Sequence, residues 1–285
     1  MPNEQAMNNR NSTTFQKAAQ GESTGDHEPS KLAIYERRRT ICDLVGEKGK
    51  VTVDELAERF GVSTVSIRSD LKALDLEGTL LRIRGGAVAR RDDEDLPLSV
   101  KQNLHHAEKV RIAEAAAGLI QDGETVILDS GTTTAEIAKQ IRALKVNSIN
   151  VITNALNVAA ILAGCSHVTL IMLGGVLRPN SFSLSGPQAE LALENLYADR
   201  LFLGGDSIDP ELGLMTPYLL EAQLNAKMIQ ISRQIVVVAD SSKLMRRNLS
   251  VIAKADRINM LITDTNAQAA TVEALRAHGV DVRLV

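Results

Sequence analysis

Two groups of residues carry side chains whose types and spacing could do chemistry. In the first, Asp129 is followed by Ser130-Gly131-Thr132-Thr133-Thr134, which opens the helix-forming stretch AEIAKQI. That order offers backbone N–H groups, hydroxyls and the positive end of a helix dipole to a dianion, so it predicts a phosphate cradle. No Gly-Lys-Ser/Thr follows, as a nucleotide loop requires, and no GxGxxG follows an apolar run, which disfavours nucleotide cofactors. As a cluster of helix-capping residues alone, the motif would need no ligand. Asn154, Gly174-Gly175, Asp206 and Asp240 each sit at or just beyond the end of another apolar run, with Arg178 and Lys243 close behind. Carboxylates and amides fix sugar hydroxyls, while Lys and Arg supply charge for phosphate. Each residue could be only a turn or cap. Together they predict one polar site for an anionic metabolite, with no cofactor and no metal.

The second group begins at Ser63, which is placed to cap a helix whose buried stripe is Ile67, Leu71 and Leu74. With Ile67 inward, the rotation of about 100° per residue turns Val65, Arg68, Ser69 and Lys72 outward. Thr64 and Ser66 add hydroxyls at the same end. Such a face suits the major groove, where hydroxyls and cations reach phosphates and base edges and a small apolar group meets a thymine methyl. Downstream, TLLRIR, a Gly85-Gly86 turn and AVAR predict a β-hairpin carrying Arg82, Arg84, Arg90 and Arg91, suited to phosphate or minor-groove contact. A merely solvated surface, or a surface for another protein, is the competing reading.

These side chains need elements to hold them. Residues 31–47 carry a helical apolar pattern, and Val53, Leu56, Ala57 and Phe60 form a short second helix ending at Gly61. With the Ser63 helix and the hairpin as a wing, residues 31–91 read as a winged helix-turn-helix. An acidic run with a proline, DDEDLPL, opens a linker over residues 92–107. From 108 to 285, apolar runs TVILD, INVITN, VTLIML, RLFLGG, QIVVVAD, INMLITD and DVRLV alternate with helical stretches near 155–162, 188–196, 221–231 and 267–277. That alternation predicts a Rossmann-like α/β domain, its parallel sheet covered on both faces, with ligands beyond the carboxyl ends of the strands. Residues 1–30, polar and without apolar periodicity, read as a disordered tail.

The net charge of −3 conceals a division along the chain. Residues 31–91 hold 13 Lys and Arg against 9 Asp and Glu, a net of +4, whereas residues 92–285 carry −5. A basic segment beside an acidic one fits a DNA-contacting module joined to a domain that has no call to approach phosphate backbone. No run reaches the roughly 18 apolar residues of a membrane span, and no secretory signal is present, so a soluble cytoplasmic protein is expected. Cys42 and Cys165 lack ligand spacing and read as small buried hydrophobes.

VDELAERFGVSTVSIRSDL followed by LLRIRGGA resembles the DNA-binding domain of the DeoR-type bacterial repressors of sugar catabolism. LDSGTTT, VITNAL, LGGVLR, SLSGPQAE, ADRLFLGG, TPYLLEAQLNAKMI and VVVADSSK extend that resemblance to the chain's end, and GGVLRPNSFSLSGP with TPYLLEA is similar to the N-acetylgalactosamine-utilisation branch. The resemblance implies an effector domain akin in fold to phosphosugar isomerases and deaminases, sensing a sugar phosphate. Three positions depart from the family pattern: Ser69 where a second Arg is usual, Ser207 where Gly is usual, and Leu244-Met245 in place of Phe-Gly.

The expectation is a repressor of a carbohydrate or amino-sugar catabolic operon that binds double-stranded operator DNA as a homo-oligomer, dimer or tetramer, and is released by a phosphorylated sugar or amino-sugar. The rival is a phosphosugar isomerase or deaminase carrying a DNA-binding module, with Asp129, Asp206 or Asp240 as general base.

Overall fold

The computed structural model describes residues 31–76, 79–89 and 96–285. The expected tail over 1–30, residues 77 and 78, Arg90, Arg91 and the acidic run 92–95 lie outside these residues.

The N-terminal unit runs α1 (Lys31–Lys48), β1 (Lys50–Thr52), α2 (Val53–Phe60), α3 (Thr64–Leu76), β2 (Leu80–Ile83) and β3 (Gly86–Ala89). A capping box starts α2: the Thr52 side chain accepts from the Glu55 N–H, and the Glu55 carboxylate accepts from the Thr52 N–H. Gly61 ends it at φ 63°, a left-handed conformation that a side chain would strain. Ser63 then caps α3, its Oγ accepting from the Ser66 N–H at 3.1 Å. Ile41, Leu44, Leu56, Ile67, Leu71, Leu74 and Leu80 share one core. The hairpin turn falls at Arg84-Gly85, with Gly86 already in β3. A strand the sequence reading lacked, β1, pairs antiparallel with β3 and makes the wing three-stranded, in the order β1-β3-β2.

After α4 (Leu98–Lys101) and α5 (His106–Ala117) comes a seven-stranded sheet: β4 (Thr125–Leu128), β5 (Ile149–Thr153), β6 (Val168–Met172), β9 (Ala198–Gly204), β12 (Ser232–Val238), β14 (Met260–Thr263) and β15 (Asp281–Leu284). Its order is β15-β14-β12-β9-β4-β5-β6, and every pairing is parallel. Alternate side chains serve two cores. Val126, Leu128, Phe202 and Val236 pack with α5, α6 (Thr132–Arg142) and α7 (Leu156–Leu162). Ile127, Leu201, Leu203 and Val237 pack with α8 (Pro187–Leu191), α9 (Leu219–Gln230) and α10 (Ala269–Ala277). Both faces are therefore covered, as the continuous apolar runs require.

Five short strands lie outside that sheet. β7 (Val176–Arg178) and β8 (Ser183–Ser185) form a hairpin, and β10 (Ser207–Asp209), β11 (Gly213–Thr216) and β13 (Ser250–Ala253) form an antiparallel sheet. The helix expected over 188–196 stops at Leu191, because its hydrogen bonds then tighten to i+3 pairs such as Leu193 N–H to the Glu190 carbonyl. Cys42 and Cys165 are half-buried rather than buried, and neither forms a disulfide.

Candidate functional site

On α3, the four positions expected to face outward are all exposed: Val65, at 69%, with Arg68, Ser69 and Lys72. Thr64 and Ser66 are half-buried at the helix start, and Ser63 Oγ also lies 3.0 Å from Ser66 Oγ, so two of these hydroxyls are engaged locally in capping. Arg82 and Arg84 on the wing are exposed. One residue of α3 escaped the sequence reading. Asp70 is 2% exposed, and its carboxylate accepts from Arg37 Nε at 2.7 Å and Arg38 Nε at 3.0 Å, both from α1. This double ion pair fixes the recognition helix against α1.

In the second domain the strand order reverses between β4 and β9, since β5 and β6 lie on one side and β12, β14 and β15 on the other. At such a switch point the loops leaving neighbouring strands diverge and open a crevice. A cavity of about 570 Å³ lies there, lined by Asp129, Ser130, Gly131, Thr132 and Thr133 after β4, Asp206 after β9, Asp240 and Lys243 after β12, and Arg178 from β7. Its volume suits a small polar metabolite. Gly131 caps α6 and starts it at the cavity, so the unbonded N–H groups of the first turn belong to the wall. A 3-10 turn over Ser241–Lys243 is held from two sides: Asp240 accepts from the Ser242 N–H at 3.1 Å and from the Ser242 hydroxyl, and Asp264 accepts from the Ser241 N–H at 2.6 Å.

Four expected residues do not line this cavity. Thr134 is buried, and its hydroxyl donates to the Gly131 carbonyl at 3.2 Å, stiffening the helix start. Asn154 stitches the end of β5 to β8, donating from Nδ2 to the Leu184 carbonyl at 3.1 Å. Gly174-Gly175 steers the chain from β6 into the hairpin. At φ 121° a Cβ on Gly175 would press on the Ser185 carbonyl, so the requirement for glycine there comes from chain crossing.

Several lining residues carried no obvious mark in the sequence. Lys109 of α5 is 4% exposed, and its Nζ donates to the carbonyls of Lys101 at 2.6 Å and Leu104 at 2.5 Å. Burial drives its ammonium down to about 8, against the pull of Asp240. Its spacing to Ile112, Ala113 and Ala116 put it on the buried stripe of α5, which was the available signal. Glu221 of α9 accepts from Arg178 at 3.0 Å and from Ser183 Oγ at 2.7 Å, while the Arg178 guanidinium lies 3.2 Å from the centre of the Tyr218 ring. Burial, reinforced by the charges of Glu221 and Asp206, holds the Asp129 carboxyl well above the usual range. Lys243 and Asp240 both act on Lys109, and Glu221 and Asp206 both act on Asp129, so cations and carboxylates share the lining. No group of His, Cys, Asp and Glu suited to a metal ion occurs among the described residues, and no helix there is long and apolar enough to cross a membrane.

A winged helix-turn-helix ahead of an α/β domain with a charged cavity at its switch point defines a DNA-binding transcriptional regulator with a sensor domain. Residues 37–92 match the DeoR-like helix-turn-helix domain, and residues 104–265 match the DeoR C terminal sensor domain. The chain belongs to the DeoR family. A protein of Escherichia coli O157:H7 that carries the name "putative aga operon transcriptional repressor" is 43% identical over 253 residues, spanning 88% of this chain and 93% of that protein. The uncharacterized HTH-type transcriptional regulator YulB of Bacillus subtilis is 33% identical, spanning 89% of this chain and 98% of YulB. Among solved structures, ribose 5-phosphate isomerase A of Methanocaldococcus jannaschii overlaps 50% of this chain and 55% of its own at 17% identity, with a TM-score of 0.37.

Proposed function

We propose that this regulator represses a carbohydrate or amino-sugar catabolic operon and leaves its operator when a phosphorylated sugar fills the cavity. The observation that carries the reading is the cavity itself: a helix start rich in N–H and hydroxyl donors, with Lys109 and Lys243 in the same wall, suits a phosphate monoester, and the carboxylates suit sugar hydroxyls. The relative named for the aga operon supports an amino-sugar operon. Ser63, Thr64, Val65, Ser66, Arg68, Ser69, Lys72, Arg82 and Arg84 would meet DNA. A symmetric operator needs paired recognition helices, hence a dimer or tetramer. The domains would divide as a tail over 1–30, the DNA-binding unit over 31–91, a linker over 92–107 and the sensor over 108–285.

A gel shift on the gene's own upstream DNA, repeated with hexose, hexosamine and ketohexose phosphates, tests the proposal. One of them should release the DNA. Thr132→Ala or Lys243→Ala should weaken that response at least about tenfold while sparing DNA affinity, since each removes a charged or hydroxyl partner of the phosphate. Loss of DNA binding by either folded variant would contradict the separation of roles, and a panel without effect would end the sensor reading. The enzyme reading needs a base over the substrate. Burial holds the Asp129 carboxyl well above the usual range, and turnover of any of these phosphates at ordinary enzyme rates would support that reading.

A further inference from the structure

The segment beyond Lys243 is fastened at three points that phosphate binding does not require. Leu244 forms a parallel bridge to Ile208, and the Met245 N–H donates to the Ile208 carbonyl at 2.8 Å. Asn248 Nδ2 donates to Ser207 Oγ at 2.9 Å, and Arg247 Nε donates to Asp209 at 2.7 Å. Ser207 and Asp209 are buried and lie two apart on β10, so both face the same way and together act as a rail. Met245 adopts φ 60°, which costs a residue with a side chain about 1 kcal/mol or more, so the anchors and not local preference set this path. Arg246, Arg247 and Asn248 consequently line the cavity.

The Ser207 hydroxyl and the path after Lys243 meet in one construction. A glycine at 207 would have no hydroxyl to accept from Asn248, so a single hydrogen bond ties Ser207 to the path that follows Lys243. The cradle and the lysines treat every sugar phosphate alike. Discrimination among sugars must come from wall groups held rigidly against the rest of the ligand.

We propose that the segment 246–248, locked to β10 through Ser207 and Asp209, is the wall that selects which phosphorylated sugar this regulator accepts, with Ser207 and Asn248 as positioning residues. The inference rests on the sugar-phosphate reading above. Its test uses full-length protein on operator DNA with an aldohexose, a ketohexose, a hexosamine and an N-acetylhexosamine 6-phosphate, plus inorganic phosphate. Ser207→Gly and Asn248→Ala should each leave DNA affinity and the response to inorganic phosphate within about twofold of the parent. Each should shrink the ratio between the best and second-best sugar phosphate by about fivefold or more, and the double variant should go no further, because both changes break one bond. Ratios within twofold of the parent in both variants, with only the thermal midpoint lowered, would reduce the anchor to packing and overturn the proposal. A parent that answers none of the sugar phosphates would overturn the sensor reading as well; a parent that answers, with unchanged ratios in the variants, overturns this inference alone.

Discussion

Lys109 shows how much a single buried side chain can decide. Burial brings its ammonium down to about 8. A phosphate dianion beside it favours the charged form and raises that value on binding, so binding takes up a proton above about pH 8. Effector affinity should therefore hold steady below pH 7.5 and fall severalfold by pH 9, and Lys109→Met should bind more weakly with that fall abolished. Calorimetric titration across the range checks both, and a parent profile that Lys109→Met leaves unchanged would remove Lys109 from the site. Met245 is the opposite case, an exposed residue paying for its backbone. Met245→Gly should raise stability by about 1 kcal/mol, read from the urea midpoint, because glycine reaches positive φ without the Cβ clash. A destabilised variant would show that the Met245 side chain contributes more than its conformation costs.

Among the elements, those that bury long apolar runs were readable and those fixed by tertiary partners were not. TVIL, RLFL and IVVV could only be strands of a doubly covered sheet, and their carboxyl ends point to Asp129, Asp206 and Asp240. β1, β7, β8, β10 and β13 span only three or four residues, too short for a period to show, and each exists because a neighbour supplies its hydrogen bonds. Position at a strand end also misled: Asn154 and Gly175 occupy the right place in the pattern, yet their roles come from β8, whose approach nothing in the local sequence announces. Asp70 was hidden for a different reason. It looks like one more charge on a polar helix, and only the fold brings Arg37 and Arg38 to it. Removing one partner of a buried ion pair costs about 3–5 kcal/mol, and the partial exposure of Arg38, at 28%, argues for the lower end. Asp70→Asn should thus speed hydrogen exchange across α1 and α3 and abolish operator binding, while the sensor domain still binds effector. Exchange and DNA affinity at parental values would mean the pair is dispensable.

At the scale of the molecule, the proposed function gives DNA to one end of the chain and a metabolite to the other, and regulation then requires the two sites to exchange free energy. If a sugar phosphate releases the operator, it does so by binding the DNA-free arrangement more tightly, and thermodynamic linkage then makes the exchange reciprocal. Whatever factor the effector takes from operator affinity, the operator must take from effector affinity; couplings of this kind are commonly about 5- to 150-fold. The two factors come from separate experiments on the same full-length protein: operator titration with and without saturating sugar phosphate, and calorimetric effector titration with and without saturating operator. Equality within error is expected. An effector that binds equally well to free and operator-bound protein shifts nothing however tightly it binds, and that result would leave the cavity a binding site without a regulatory role.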